Sequence, residues 1–124
     1  MRGLLSFKKL FRSFGYAARG LKAAFKTEQN FRVHTIAALL AILLACLFRV
    51  TGYEWALIVL CIIAVTGAEL INTAIERICD LVQPEKDARV QYIKDVSAAA
   101  VLLVAAGALI IGLLIFIPRL MTLI

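Results

Sequence analysis

The feature that most constrains this sequence is a long uncharged run near its C-terminal end. Residues 96–117 contain no charged residue over 22 positions, and Pro118 and Arg119 follow directly. About 20 consecutive apolar residues are enough for an α-helix to cross the hydrocarbon core of a bilayer. The run therefore predicts a membrane-spanning helix, which we place at residues 93–117.

Two further apolar runs precede it, and each predicts another membrane helix. Residues 33–48 carry His34 as their single ionisable group, and flanking residues extend this run to spanning length, at 30–49. Residues 55–68 are uncharged for 14 positions before Glu69, and apolar residues continue the pattern beyond it. We therefore expect the middle helix at 54–82, with carboxylates in its last turns.

The composition excludes a water-soluble fold for so short a chain. Of its 124 residues, 63% are hydrophobic and 18% are charged, and the mean hydropathy is +0.94. A small soluble domain cannot bury so much apolar surface. The three cysteines, Cys46, Cys61 and Cys79, form no disulfide framework, so a secreted scaffold is excluded as well. We predict an all-α membrane protein that forms a single domain over residues 1–124.

Residues 4–26 predict a helix that lies in the membrane interface. The apolar side chains recur there at helical spacing, and basic residues occupy the remaining surface. A basic amphipathic helix lies flat between lipid headgroups and acyl chains. The segment is not a signal peptide, because its basic residues are scattered instead of preceding an apolar core. Whether it only anchors the chain or also contributes to a site is left open by the pattern.

The basic residues predict how the helices cross the membrane. Eight of the 14 Lys and Arg residues precede the first span and four lie between the second and third: Arg2, Lys8, Lys9, Arg12, Arg19, Lys22, Lys26 and Arg32, then Arg77, Lys86, Arg89 and Lys94. Such residues concentrate in cytoplasmic segments. We therefore expect a cytoplasmic N-terminus and an outer C-terminus. The net charge of +6 reflects this orientation, and we expect no nucleic-acid partner.

The most unusual stretch of the chain is a polar stripe on the middle helix. At roughly 100° per residue, Asn72, Glu76 and Asp80 stand about 300°, 340° and 20° round from Glu69. Ionisable groups inside a span are costly and seldom face lipid. Neighbouring carboxylates also repel one another unless a cation lies among them, and oxygen ligands suit Mg²⁺. An interhelical polar contact or a proton relay in a transporter remains an alternative to an enzyme site.

Residues outside the stripe favour the enzyme. Lys94 and Asp95 lie at the cytoplasmic start of the third span, where an ammonium group can bind phosphate. Glu28, just before the first span, offers one more oxygen ligand. The chain contains no P-loop and no GxGxxG motif, and its single histidine, His34, excludes a His-rich zinc site or a His-based triad. We interpret His34 as a solvated or packed residue.

These residues resemble the small bacterial membrane kinases, the prokaryotic diacylglycerol kinase / undecaprenol kinase family. The resemblance covers nearly the whole chain and rests on RGL at 19–21, TEQNF at 27–31, ELINTAIE at 69–76 followed by Asp80, and KDVSAAAV at 94–101. The segments EQNFRVH at 28–34 and IIGLLIFIPR at 110–119 look more like the Gram-positive undecaprenol kinase branch. The resemblance implies three transmembrane helices and an interfacial helix, assembled as a homotrimeric bundle with composite sites.

The resemblance also implies roles for individual residues. Glu69 would be the catalytic base, and Glu28 and Glu76 would be the ligands of Mg²⁺. Glu69 and Asn72 would bind the lipid substrate. The nucleotide would be bound by the following residues: Lys9, Ser13, Tyr16, Asn72, Glu76, Asp80, Glu85, Lys94 and Asp95.

The predicted function is that of an ATP-dependent lipid kinase in the bacterial cytoplasmic membrane. The γ-phosphoryl group of Mg-ATP would pass to the hydroxyl of undecaprenol at the cytoplasmic interface. Diacylglycerol is the alternative lipid, because nothing in the residues measures the acyl chain. A proton-coupled transporter subunit is a more distant alternative, and it leaves Glu28, Lys94 and Asp95 without a role.

Overall fold

The computed structural model describes residues 3–124, so Arg2 of the basic N-terminal set lies outside it. These residues form four helices and no strand: α1 (Phe7–Thr27), α2 (Gln29–Phe48), α3 (Gly52–Val82) and α4 (Ala88–Met121). Helices α2, α3 and α4 are long and apolar enough to cross a membrane. The predicted all-α membrane fold with three spans is thereby confirmed.

Helix α1 is the amphipathic helix, and almost none of it is buried by the rest of the chain. Ser6 caps its start by accepting a hydrogen bond from the Lys9 amide at 3.4 Å. Ala24 is its buried residue, whereas Phe7, Phe11 and Phe14 are exposed. A face of exposed aromatic residues beside basic ones is what a helix in the membrane interface requires.

Glu28 separates α1 from α2. Its backbone is extended, with φ −110° and ψ 111°, and its amide still donates to Ala24 O at 2.8 Å. The Arg32 guanidinium donates to the Phe25 and Lys26 carbonyls at 3.0 and 2.9 Å. These carbonyls belong to the last turn of α1, where no intrahelical donor is available. Arg32, a residue of α2, therefore supplies the hydrogen-bond donor that the last carbonyl groups of α1 lack.

Three helices are tied together at the end opposite Glu28. Thr51 and Glu54 form a reciprocal capping box at the start of α3. Arg119 of α4 forms an ion pair with Glu54, and its Nη1 donates to Phe48 O of α2 at 3.3 Å. The buried residues of the apolar cluster at this end are Ala45, Val50, Ile58 and Ile115.

Helix α4 extends beyond its uncharged run at both ends. It begins at Ala88, where the Asp87 side chain accepts from the Arg89 amide at 2.8 Å. It also continues through Pro118 to Met121, although we expected the membrane segment to close at 117. Proline removes one helical hydrogen bond but has a helical φ. The turn that follows Pro118 contains Arg119, whose side chain forms hydrogen bonds to α2 and α3.

Helix α3 is the central element, since it packs against both α2 and α4, and α2 contacts α4 much less. This arrangement leaves an apolar cleft of about 580 Å³ between the three helices. It runs from His34 to Phe116, and its lining includes small residues such as Ala38, Ala108 and Gly112.

Candidate active site

Glu69 and Asn72 are the buried polar side chains among residues 3–124, with 3% and 6% of their surface exposed. Both lie on α3. Exposure rises along the helix from these two residues through Glu76, which is half-buried, to Asp80, whose side chain is 58% exposed. The polar stripe therefore leads from the interior of the helix bundle to its surface.

Asn72 forms a hydrogen bond to another residue of the stripe, but its side-chain oxygen has no hydrogen-bond partner among the described residues. Its Nδ2 donates to Glu76 Oε1 at 3.3 Å, one turn further along α3. Its Oδ1 is buried and has no hydrogen-bond partner in the described part of the chain. A buried acceptor without a partner is costly, so it marks a position where a donor or a cation is expected to bind.

His34 of α2 lies next to Glu69. Its Nε2 is 3.8 Å from Glu69 Oε2, and its side chain is 22% exposed. The sequence interpretation of His34 as merely solvated or packed missed this contact. The available signal was its position as the single ionisable group of the first apolar run, because such groups in a membrane helix usually face a polar partner.

Glu28 meets α3 through Arg77. Arg77 Nη2 donates to Glu28 Oε1 at 2.8 Å, and the Thr27 hydroxyl lies 3.5 Å from the same oxygen. Glu28 is thus placed beside α3, and its role as a Mg²⁺ ligand stays a prediction. The sequence indicates Arg77 only as a basic residue of the cytoplasmic side, so its contact with Glu28 was not predicted.

Lys94 and Asp80 meet across α3 and α4. Lys94 Nζ donates to Asp80 Oδ1 at 2.6 Å. Asp95 turns away from this pair and accepts from Gln91 Nε2 at 2.8 Å. The structure therefore brings Lys94 and Asp80 together, whereas Asp95, on the same turn of α4 as Lys94, is bonded to Gln91 instead.

The α1 residues and Glu85 stand apart from the stripe. Ser13 Oγ donates to Lys9 O at 3.1 Å, and the Tyr16 ring lies beneath the Arg19 guanidinium, 4.9 Å from its centre. Within residues 3–124, no hydrogen bond or ion pair joins Lys9, Ser13, Tyr16 or Glu85 to α3 or α4. Their nucleotide contacts stay predictions.

Asp87, in the connection before α4, is committed to its own neighbours. Its carboxylate accepts bonds from the Arg89 side chain at 2.8 and 3.1 Å and from the Arg89 amide at 2.8 Å. These hydrogen bonds hold the pKa of Asp87 below its usual range. Asp87 therefore fixes the start of α4.

The residues fit a hard divalent cation in type but are not gathered around one. Over residues 3–124, no group of three or more His, Cys, Asp or Glu side chains converges on a metal position. Instead, each carboxylate has a partner within the chain: Glu28 with Arg77, Glu76 with Asn72, and Asp80 with Lys94. Carboxylates and the unpaired Asn72 oxygen are the ligand types Mg²⁺ prefers.

Comparisons with known proteins identify the family of the chain. Residues 15–116 match the family model described as prokaryotic diacylglycerol kinase. The chain is 38% identical over 112 residues to the undecaprenol kinase of Bacillus subtilis (strain 168), covering 90% of this chain and 91% of that protein.

Two diacylglycerol kinases are also similar. That of Synechocystis sp. is 38% identical over 112 residues, covering 90% of this chain and 64% of that longer protein. That of Escherichia coli (strain K12) is 33% identical over 104 residues, covering 84% of this chain and 85% of its own. The chain therefore belongs to the prokaryotic diacylglycerol kinase family and is a membrane lipid kinase.

Proposed function

We propose that this kinase transfers the γ-phosphoryl group of ATP to the hydroxyl of undecaprenol. The observation that carries the proposal is a buried carboxylate, Glu69, beside the unpaired Asn72 oxygen at the end of an apolar cleft. The similarity to the undecaprenol kinase of Bacillus subtilis over nearly its full length supports this choice of lipid. Diacylglycerol is the second candidate, supported by the Synechocystis relative at the same identity.

Glu69 is the proposed catalytic base. It accepts the proton of the lipid hydroxyl while that oxygen bonds to the γ-phosphorus and the bond to the β-phosphate oxygen breaks, releasing ADP. Its burial supports this role, because a lipid alcohol reaches it without leaving the apolar region. Asn72, three residues further along α3, is the second proposed contact of the lipid, and its unpaired Oδ1 can hold the hydroxyl hydrogen until Glu69 takes the proton.

The phosphates belong toward the exposed end of the stripe. Glu28 and Glu76 are the proposed ligands of Mg²⁺, which when bound neutralises charge on the phosphates during transfer. Lys94 supplies a point charge for a phosphate, and Asp80 holds its ammonium group in place at 2.6 Å. Asp95 lies on the same turn of α4 and completes the proposed nucleotide contacts of that helix.

Helix α1 is the proposed cover of the nucleotide. Three of its exposed residues are proposed nucleotide contacts: Lys9, Ser13 and Tyr16. In the described residues none of them bonds to α3 or α4, so a nucleotide can bind them without breaking such a bond. Glu85 is the proposed contact from the connection between α3 and α4.

The cytoplasmic N-terminus and the homotrimer with composite sites are part of the same proposal, and cross-linking of the protein in its native membrane tests the trimer.

The tail of the lipid is proposed to lie in the apolar cleft. His34 is both a lining residue of the cleft and a neighbour of Glu69, so the cleft opens at the proposed base. The cleft continues to Phe116 near the opposite end of the bundle. The apolar lining of the cleft suits a hydrocarbon tail.

The test is a phosphorylation assay with γ-labelled ATP on membranes that offer undecaprenol and diacylglycerol together. We expect labelled undecaprenyl phosphate from the unchanged protein and none from Glu69→Gln. Preferential labelling of phosphatidic acid would transfer the proposal to diacylglycerol. Labelling of neither lipid would refute it.

A further inference from the structure

We infer that Arg77 exchanges partners during the reaction: it holds Glu28 before the nucleotide binds, and it binds the nucleotide phosphates once a divalent cation takes Glu28. The inference rests on the proposed function. It adds a phosphate-binding residue and a competition for the metal ligand that the resemblance to the kinase family does not imply.

The first step of the argument is the Glu28–Arg77 contact itself. Glu28 lies between α1 and α2, and its side chain forms no capping hydrogen bond to α2. Its carboxylate is therefore not needed to cap the helix. The bond from Arg77 Nη2 at 2.8 Å is its ion pair, and Glu28 is 20% exposed. A cation that binds Glu28 must therefore compete with a guanidinium that is already there.

The second step is that this competition is one a divalent cation can win. The Arg77 side chain is 61% exposed, so solvent screens the pair. Exposed ion pairs contribute little to stability and break readily. The unpaired Asn72 oxygen, next to Glu76, is an independent sign that a ligand binds among these residues.

The third step concerns the released guanidinium. Arg77 lines the groove between α1 and α3, together with Thr27, Thr73 and Gly20, where α1 is proposed to cover the nucleotide. A guanidinium has several N–H donors in a planar fork that matches two phosphate oxygens, whereas the Lys94 ammonium is a point charge. Once Glu28 is taken, the phosphates of a nucleotide bound beside this groove are anions that can replace it.

Arg77→Gln tests this exchange because its two expected effects have opposite signs. We expect the purified full-length variant to bind Mn²⁺ without nucleotide about two- to fivefold more tightly, since the competing guanidinium is gone. The Kd of Mg-ATP should rise about tenfold, because a charge-assisted contact to phosphate is lost. Electron paramagnetic resonance of free Mn²⁺ and equilibrium dialysis of labelled ATP measure the two affinities.

Two further variants separate the exchange from a general change of charge. Arg49→Gln removes the same charge at the opposite end of α2, and it should leave both affinities unchanged. In a Glu28→Gln background, Arg77→Gln should no longer affect Mn²⁺ binding but should still weaken Mg-ATP. Arg77→Lys, which keeps the charge without the fork, should restore part of the nucleotide affinity.

The inference is overturned if Arg77→Gln lowers both affinities, or if Mn²⁺ binding is equal in the two proteins, including no binding in either. It is also overturned if the Mn²⁺ effect persists without the Glu28 carboxylate. A wild-type protein that binds Mg-ATP but phosphorylates neither lipid refutes the proposed function instead, and the Arg77 measurements remain decisive for the exchange.

Discussion

The imidazole of His34 in α2 faces the carboxylate of Glu69 in α3, with 3.8 Å between Nε2 and Oε2. The contact joins the single ionisable group of the first apolar run to the most buried carboxylate of the chain. Because the two residues belong to different helices, the contact places α2 beside the proposed base. We therefore expect His34 to position the Glu69 side chain.

Replacement of His34 should slow turnover without weakening nucleotide binding. We expect His34→Ala to lower kcat by about 10- to 100-fold, less than the roughly 10²–10⁴-fold contribution of the base itself because Glu69 remains, with the KM for ATP unchanged. Steady-state kinetics with saturating lipid measure both. His34→Asn, which keeps a polar group at the same place, should recover part of kcat. A rise in the KM for ATP without a fall in kcat would contradict this role.

Glu69 and Glu76, two of the three carboxylates of the stripe, should have different functions. Glu76→Gln should abolish metal-dependent binding of ATP, because it removes a proposed Mg²⁺ ligand. Glu69→Gln should bind Mg-ATP normally and show no turnover, because it removes only the proposed base. Equilibrium dialysis of labelled ATP with and without Mg²⁺, paired with the phosphorylation assay, distinguishes them. Equal loss of binding in both variants would contradict this division of roles.

Because the Asn72 oxygen is buried without a partner, replacing Asn72 should raise the stability of the fold and remove the activity. Asn72→Leu removes a buried acceptor that has no partner, at the loss of one bond of 3.3 Å to Glu76. We expect the free energy of unfolding to rise by about 1 kcal/mol, since an unsatisfied buried group costs roughly 1–3 kcal/mol. Turnover should be lost. Denaturant unfolding in micelles gives the first quantity, and a less stable variant would show that the amide is satisfied in the native protein.

The helices and the stripe could be predicted from the sequence because both depend on short-range periodicity. Uncharged runs predict α2, α3 and α4, and a spacing of three or four residues places Asn72 and Glu76 on one face. The contacts His34–Glu69, Glu28–Arg77 and Glu54–Arg119 could not be predicted. They depend on how whole helices are rotated against one another, which no local pattern encodes.

The end of α4 illustrates the same limit. Pro118 predicts a stop because it lacks a donor, yet the helix continues to Met121. Arg119, in the turn after Pro118, bonds to Glu54, 65 residues earlier in the chain. This long-range contact joins the turn to α3, and no local signal in the sequence indicates it.

The Arg119–Glu54 pair should stabilise the fold without touching catalysis. It joins α3 and α4 at the end remote from Glu69, and Arg119 also donates to Phe48 O of α2 at 3.3 Å. We expect Arg119→Gln to lower the Tm while the KM for ATP stays unchanged. Thermal unfolding followed by circular dichroism measures the effect. A normal Tm combined with a changed KM would contradict a purely structural role.

The apolar cleft should control access of the lipid and not of the nucleotide. Ala108 is one of its small lining residues, so Ala108→Phe places a ring in the proposed path of the tail. We expect kcat/KM for undecaprenol to fall about tenfold or more, since misfit of even one methylene in an apolar pocket costs about 10- to 200-fold, with the KM for ATP unchanged. Leu103→Phe is the matched control, because Leu103 lies on the same helix and is 74% exposed. If both variants behave alike, the lipid tail lies outside the cleft and only the surrounding membrane holds it.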